Sequence, residues 1–282
     1  MGINRFDNDY AAYLGGQEEF RRDPTATGVL IVESTTPLTK HVDPMKLQSR
    51  MDRLAEMRYE KAHLQYLGTL NKFDASYLEH LDAEPPLVRV LAKDSRIKVV
   101  VEGLRSDLPI WETPVSEQIR DLYYAGVMQA DGLDLDALVG EGIRRFQVKG
   151  DMLRNSGVRF VEAGTRFRYG FKWHSLLITL ILGDMHDLLL GTTNLGMAMA
   201  FGLDPVANLA PDVVRIAGPS VRELEALYDG EGRPIVVTGV NAFQMAHLFG
   251  HFGDRITFEW DRDLTGDMGP AGTFLPLICT TT

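Results

Sequence analysis

Two short loops in this 282-residue chain carry residues that could hold an anion. In VEAGTRFR an apolar strand end runs into Gly164, Thr165, Arg166 and Arg168; in LLLGTTN another runs into Gly191, Thr192, Thr193 and Asn194. Backbone N–H groups, hydroxyls and a guanidinium each offer a short, directed hydrogen bond to an anionic oxygen, so both loops suit a phosphate or a carboxylate. The same residue types also end strands and cap helices, and the loops alone leave both readings open.

Other constellations are weaker. His247 and His251 share a helix face but lack the glutamate and third ligand of a zinc site. Asp184, His186 and Asp187 read better as a helix end than as a metal cluster. Asp261, Asp263 and Asp267 crowd one polar loop that could hold Mg²⁺ or a ribose diol, although acidic turns are common on a chain this acidic. No dinucleotide fingerprint, P-loop, serine-hydrolase elbow or zincin motif occurs.

The elements that must position these loops alternate in the second half. VRFVEAG leads to WHSLLITLILGDM, LLLGTTN to LGMAMAFGL, PIVVTG to NAFQMAHLFGHFG, and RITFEW to a polar loop. PSVRELEALYDGEGRP between them reads as a helix with Ser220 and Glu223 as its capping box. Strands separated by helices imply parallel βα units, whose loops after the strands form one rim. In the first half, Leu47, Met51, Leu54 and Met57 recur at helical spacing, which predicts one amphipathic helix from Leu47 to about Leu70. FDASYLEHL predicts a second helix and IKVVVEG a strand. In LPIWETPVSEQIRDLYYAG, Thr113 reads as an N-cap and Pro114 as the first helical residue.

Composition narrows the function classes. A 45% hydrophobic and 24% charged chain can bury a sizeable core. Its net charge of −10 argues against nucleic acid or an anionic membrane as partner. No apolar signal core or membrane-spanning run is present, which suits a cytoplasmic protein or one assembled into a particle. The one cysteine, Cys279, excludes an internal disulfide and reads as an inert tail residue.

Taken in order, these motifs resemble the nicotinate phosphoribosyltransferase family. WETPVSEQI, then VEAGTRFR, GTTN, DPVANLAPD, PIVVTG and RDLTGD follow the family's order of phrases from about Asp7 to Asp267. The resemblance implies an α/β chain. An N-terminal α+β domain (1–125) is followed by an incomplete, irregular (β/α) barrel of the type II phosphoribosyltransferase kind with a short C-terminal tail (126–282). It also implies transfer of 5-phosphoribosyl from phosphoribosyl pyrophosphate to nicotinate, assisted by Mg²⁺ and coupled to ATP through a phosphorylated histidine. Residue by residue, Thr165, Arg166 and Arg168 match the anion-binding turn. Gly191, Thr192 and Asn194 match the second loop, and Tyr10 matches an aromatic that stacks on the pyridine.

The departures point the other way. Pro211 stands where the family has its phosphate-accepting histidine, so no catalytic residue is assigned. In the ribose and Mg²⁺ loop, Arg262, Thr265, Gly266 and Asp267 remain, but Leu264 replaces an aspartate, and Gly239 replaces the acidic end of the preceding strand. The family also continues beyond this point with further βα units and the loop that binds the 5-phosphate, so the resemblance implies a C-terminally truncated member. These losses favour a protein that keeps the fold without catalysis and serves as a structural or interaction component of a larger assembly, such as a viral particle. It would need no cofactor, and a protein partner or a second copy would cover the open barrel. The alternative is an active phosphoribosyl-transfer enzyme of NAD salvage, completed by a second chain and using Mg²⁺ and phosphoribosyl pyrophosphate.

Overall fold

The tract TGVLIVES places Leu30, Val32 and Ser34 on one face at a period of two, and in the computed structural model it forms strand β1 (Thr27–Ser34) with that face buried. The structure describes residues 5–34, 37–81, 85–157, 159–166, 168, 170–209, 235–238, 256–259 and 277–281. β1 pairs antiparallel with β3 (Arg96–Leu104), which pairs antiparallel with β2 (Leu87–Lys93). Leu30 faces Val101 and Val32 faces Val99 across the sheet, so apolar side chains meet on the core face.

Two helices cover that face. α2 (Pro44–Glu56) contributes Leu47, Met51 and Leu54, and α5 (Leu108–Asp131) contributes Leu108, Trp111, Val115, Ile119 and Leu122. The second core is aromatic. α1 (Tyr10–Arg22) brings Tyr10, Tyr13 and Leu14 against Phe6, Leu67 of α3 (Lys61–Thr69), Tyr77 of α4 (Ala75–His80) and Ile110 of α5.

Two local expectations are corrected. The helix expected from Leu47 to about Leu70 is two helices, because Met57 and Glu60 are extended. Glu60 restarts the helix through a capping box with His63, whose Nδ1 accepts from the Glu60 N–H at 3.2 Å. The interruption sends Tyr59 into the aromatic core. The expected helix start at Thr113 and Pro114 lies well inside α5, which begins at Leu108 with Pro109 in its first turn. Pro114 has no N–H to reach the Ile110 carbonyl. Asn8 Nδ2 supplies the missing donor, at 2.6 Å from that oxygen, so the proline is accommodated without an orphaned acceptor.

α6 (Leu135–Ser156) starts at Asp134, whose side chain accepts from the Asp136 N–H, and ends at Gly157 in the left-handed conformation. The expected βα alternation follows. β4 (Phe160–Glu162) and α7 (Phe171–Asp184) precede β5 (Leu189–Thr192) and α8 (Leu195–Phe201). Then come β6 (Asn208–Leu209), β7 (Ile235–Thr238) and β8 (Ile256–Glu259). β4 pairs parallel with β5, β6 with β7, and β7 with β8, while an isolated parallel bridge from Thr192 to Pro205 ties β5 to the segment that precedes β6. The fold is therefore mixed α/β with parallel βα units, and no closed barrel forms among the described residues.

The short C-terminal tail carries a strand that the sequence reading does not identify. It returns as β9 (Leu277–Thr281), antiparallel to β1, with Cys279 in register with Val32. This gives the first sheet the order β2-β3-β1-β9. The helices read at Ser220–Glu223 and at His247–His251 lie outside the described residues, as do Pro211, Gly239, Leu264 and the loop carrying Asp261 and Asp263. Among the described residues no helix is long and apolar enough to cross a membrane.

Candidate functional site

Parallel pairing brings the two loops together. Glu162 at the end of β4 lies in register with Thr192 at the end of β5, so the turn Gly164–Arg166 and the tract Gly191–Asn194 are neighbours. Gly191 has φ +150°, and a Cβ there would stand 2.2 Å from the Asp204 carbonyl oxygen. Only glycine lets the chain of residues 204–206 cross so closely, where Val206 N–H donates to Thr192 O at 2.8 Å.

The N-terminal segment is threaded over this rim. Asn194 and Asp9 form an antiparallel bridge, Tyr10 N–H donates to Thr193 O at 2.8 Å, and Leu195 N–H donates to Asn8 O at 2.9 Å. Thr193 Oγ1 donates to Asp9 Oδ1 at 2.8 Å. Asn194 is the N-cap of α8, its Oδ1 accepting from Met197 N–H at 2.8 Å, while its Nδ2 donates to Asp7 Oδ1 at 2.9 Å and Thr165 Oγ1 at 3.2 Å.

At the centre lies Arg168, 5% exposed. Its Nη1 donates to Asp7 Oδ1 at 2.8 Å, and its Nη2 donates to Asp7 Oδ2 at 2.5 Å and Glu117 Oε2 at 2.6 Å. His174 Nδ1 stands 2.9 Å from Arg168 Nη1. On the far side of the ring, His174 Nε2 lies 2.8 Å from Glu162 Oε1, off the line of a well-formed hydrogen bond. Glu162 accepts in addition from Gly164 N–H at 2.5 Å and from Thr192 Oγ1 at 2.6 Å. A chain of polar contacts thus runs from α5 through Arg168 and His174 to the end of β4.

Burial would raise the Glu162 carboxyl, but the His174 imidazole, the Thr192 hydroxyl and the Gly164 N–H together hold it down at about 2. Arg168 keeps its proton more firmly than usual: burial works against its charge, and Asp7 and Glu117 outweigh burial. With two carboxylates on one guanidinium, the second is over-supplied. Burial pushes Glu117 above the ordinary range, Arg168 opposes this, and Asp7 reinforces it. Asp121, one turn along α5, is also raised by burial against the pull of Arg50, Arg168 and Arg120.

The structure therefore gathers Thr165, Arg168, Gly191, Thr192 and Asn194 at one rim. Arg166 closes the turn after β4. Tyr10 sits at the start of α1, 4% exposed, with its ring 5.8 Å from that of Phe73. Arg262, Thr265, Gly266 and Asp267 lie outside the described residues. Reading the loops did not identify Asp7, Glu117, Glu162 or His174. The available signal was chemical: a buried arginine needs carboxylates, and Glu162 directly precedes the GTR turn. Among the described residues no three His, Cys, Asp or Glu converge as a metal site would require.

No family model matches the chain. A curated nicotinate phosphoribosyltransferase of Desulforapulum autotrophicum is 28% identical over 193 residues, covering 67% of this chain and 48% of that protein. One of Vibrio vulnificus is 29% identical over 200 residues, covering 64% and 44%. The chain thus spans about half the length of the curated relatives it matches. The solved structure of nicotinate phosphoribosyltransferase from Vibrio cholerae superposes with a TM-score of 0.69 at 14% identity, over 99% of this chain and 85% of that one, a likeness of fold. The shared sequence and the shared fold point the same way: over about two thirds of its length the chain is similar to nicotinate phosphoribosyltransferases, and it has their fold.

Proposed function

We propose that this protein keeps the nicotinate phosphoribosyltransferase fold without its catalysis and serves as a structural or interaction component of a larger assembly. The observation that carries this reading is the use to which the loop side chains are put. Thr165, Arg168, Thr192, Thr193 and Asn194 are all buried, and apart from Arg168 Nε, which has no hydrogen-bond partner among the described residues, their hydrogen bonds go to one another, to Asp7, Asp9, Glu117, Glu162 and His174, or to the N-terminus of α8. Groups that would stabilise charge on a substrate must be free to meet it, and these hold the frame together instead. Pro211 at the family's histidine position agrees, since it offers no side-chain nitrogen to accept a phosphate.

The assembly part of the reading is supported by α6. None of its large apolar side chains is fully buried, and Leu135, Val148 and Met152 are exposed. A protein partner or a second copy would cover such a helix. The alternative, an active phosphoribosyl-transfer enzyme of NAD salvage completed by a second chain, draws on the names of the curated relatives. Calorimetric titration of the purified protein with phosphoribosyl pyrophosphate and Mg²⁺ separates the two. The proposal expects no saturable heat at millimolar ligand. Micromolar binding that is lost in Arg166→Ala would overturn it.

A further inference from the structure

Away from the rim, buried polar atoms without a hydrogen-bond partner among the described residues gather around Arg5. They are Arg5 Nε and Nη2, Trp111 Nε1, the Tyr77 hydroxyl and Asp107 Oδ1. Arg5 is 3% exposed, and its guanidinium carbon lies 4.8 Å from the centre of the Tyr59 ring and 5.0 Å from that of Trp111. Its backbone is pinned, because the Tyr13 hydroxyl donates to the Arg5 carbonyl at 2.9 Å. The aromatic faces hold the cation by its plane and leave its edge unused.

That edge is chemically specific. Nε–H and Nη2–H point the same way along one side of the guanidinium, spaced to meet the two oxygens of a carboxylate. Buried donors of this kind almost always have a partner, so several in one cluster imply a group that occupies the space between them. Asp107 is the nearby acid, but its Oδ1 has no hydrogen bond, and the His80 ring nitrogen Nε2 lies 3.9 Å from it. Burial pushes its carboxyl up to about 7 with Arg5 opposing, so near neutrality Asp107 only partly balances the guanidinium. A monoanion balances the guanidinium when Asp107 is protonated, whereas a dianion over-balances it in either state of Asp107.

We propose that this cluster of unpartnered donors, between α1, the break before α3, α4 and the start of α5, binds a small carboxylate, bidentate on the Arg5 edge, with Trp111 Nε1 and the Tyr77 hydroxyl as flanking donors. It shares no residue with the loops after β4 and β5, so its fate is separate from that of the function proposed above.

The test is thermal unfolding of the full chain in acetate or formate, with chloride at matched ionic strength as control and inorganic phosphate as a third arm. Samples are equilibrated overnight because the edge is closed to solvent. Acetate and formate are expected to raise the Tm saturably in the wild type and to give only the chloride effect in Arg5→Met. Trp111→Phe, which keeps the ring and removes one donor, is expected to weaken acetate binding about tenfold. If Arg5→Met does not fold, Arg5→Lys takes its place, since an ammonium cannot bind bidentately. Equal shifts in acetate and chloride would overturn the proposal, as would unchanged acetate binding in Trp111→Phe. Tighter binding of phosphate than of acetate would overturn the assignment to a carboxylate.

Discussion

Replacing Arg168 by methionine separates a structural arginine from a ligand-binding one. The side chains of Arg168, Asp7 and Glu117 are 2%, 1% and 1% exposed, so Arg168→Met keeps the stem's volume and strands two carboxylates in the interior. Removing one partner from a buried ion pair costs about 3–5 kcal/mol, because the remaining charge has neither water nor a counter-ion. In a chain of this size each kcal/mol moves the midpoint by about 2–4 °C, so the Tm is expected to fall by roughly 6–20 °C. Circular dichroism melts and urea titration measure the loss. The triple variant Arg168→Met, Asp7→Asn, Glu117→Gln is expected to recover much of it, because the uncompensated charges leave with the cation. An Arg168→Met protein that melts within a degree or two of the wild type would refute the reasoning and return Arg168 to the list of groups free for a ligand.

The remaining expectations address particular contacts. Asn8→Ala orphans the Ile110 carbonyl and is expected to cost about 1–3 kcal/mol. Adding Pro114→Ala restores a backbone N–H to that oxygen, so a double-mutant cycle in urea should show positive coupling. Additivity would remove the link. Gly191→Ala drives a Cβ against the Asp204 carbonyl and is expected to lose more than about 2 kcal/mol, read as a lower urea midpoint. Glu162 is held at about 2, below its free value, so it adds stability at neutral pH that is lost as pH falls toward 2. Glu162→Gln should therefore flatten the acid limb of the stability profile by about 3 kcal/mol. Asp107, pushed up to about 7, acts with the opposite sign: its penalty grows as pH rises from the free value toward 7. Asp107→Asn should accordingly raise the Tm more at pH 8 than at pH 4.

What could be read from the sequence was whatever depends on neighbours in the chain. VRFVEAG, LLLGTTN, PIVVTG and RITFEW declare themselves as strands by their apolar runs and glycine stops, and the order of their loops carried the family resemblance. The helix break at Met57–Glu60 was hidden because the apolar period continues through it, and only the burial of Tyr59 explains the interruption. Pro114 looked like a helix start because the residue that makes it tolerable in mid-helix, Asn8, lies 102 positions before Ile110, whose carbonyl it satisfies. The same holds for the rim. GTRFR and GTTN were recognisable as a pair, but the partner of Arg168, Asp7, is 161 positions earlier, and no local pattern reveals that the guanidinium is already engaged. The pairing of β9 with β1 joins the end of the described chain to its beginning and is likewise invisible to periodicity.

The central claim is that the fold persists while its loop groups have been committed to holding it together. Incubation of the purified protein with labelled nicotinate, phosphoribosyl pyrophosphate, Mg²⁺ and ATP, followed by separation of pyridine mononucleotide, tests it most directly. The account predicts no product above a protein-free control. Mononucleotide accumulating with enzyme concentration, in step with released pyrophosphate and abolished by Arg166→Ala, would contradict it.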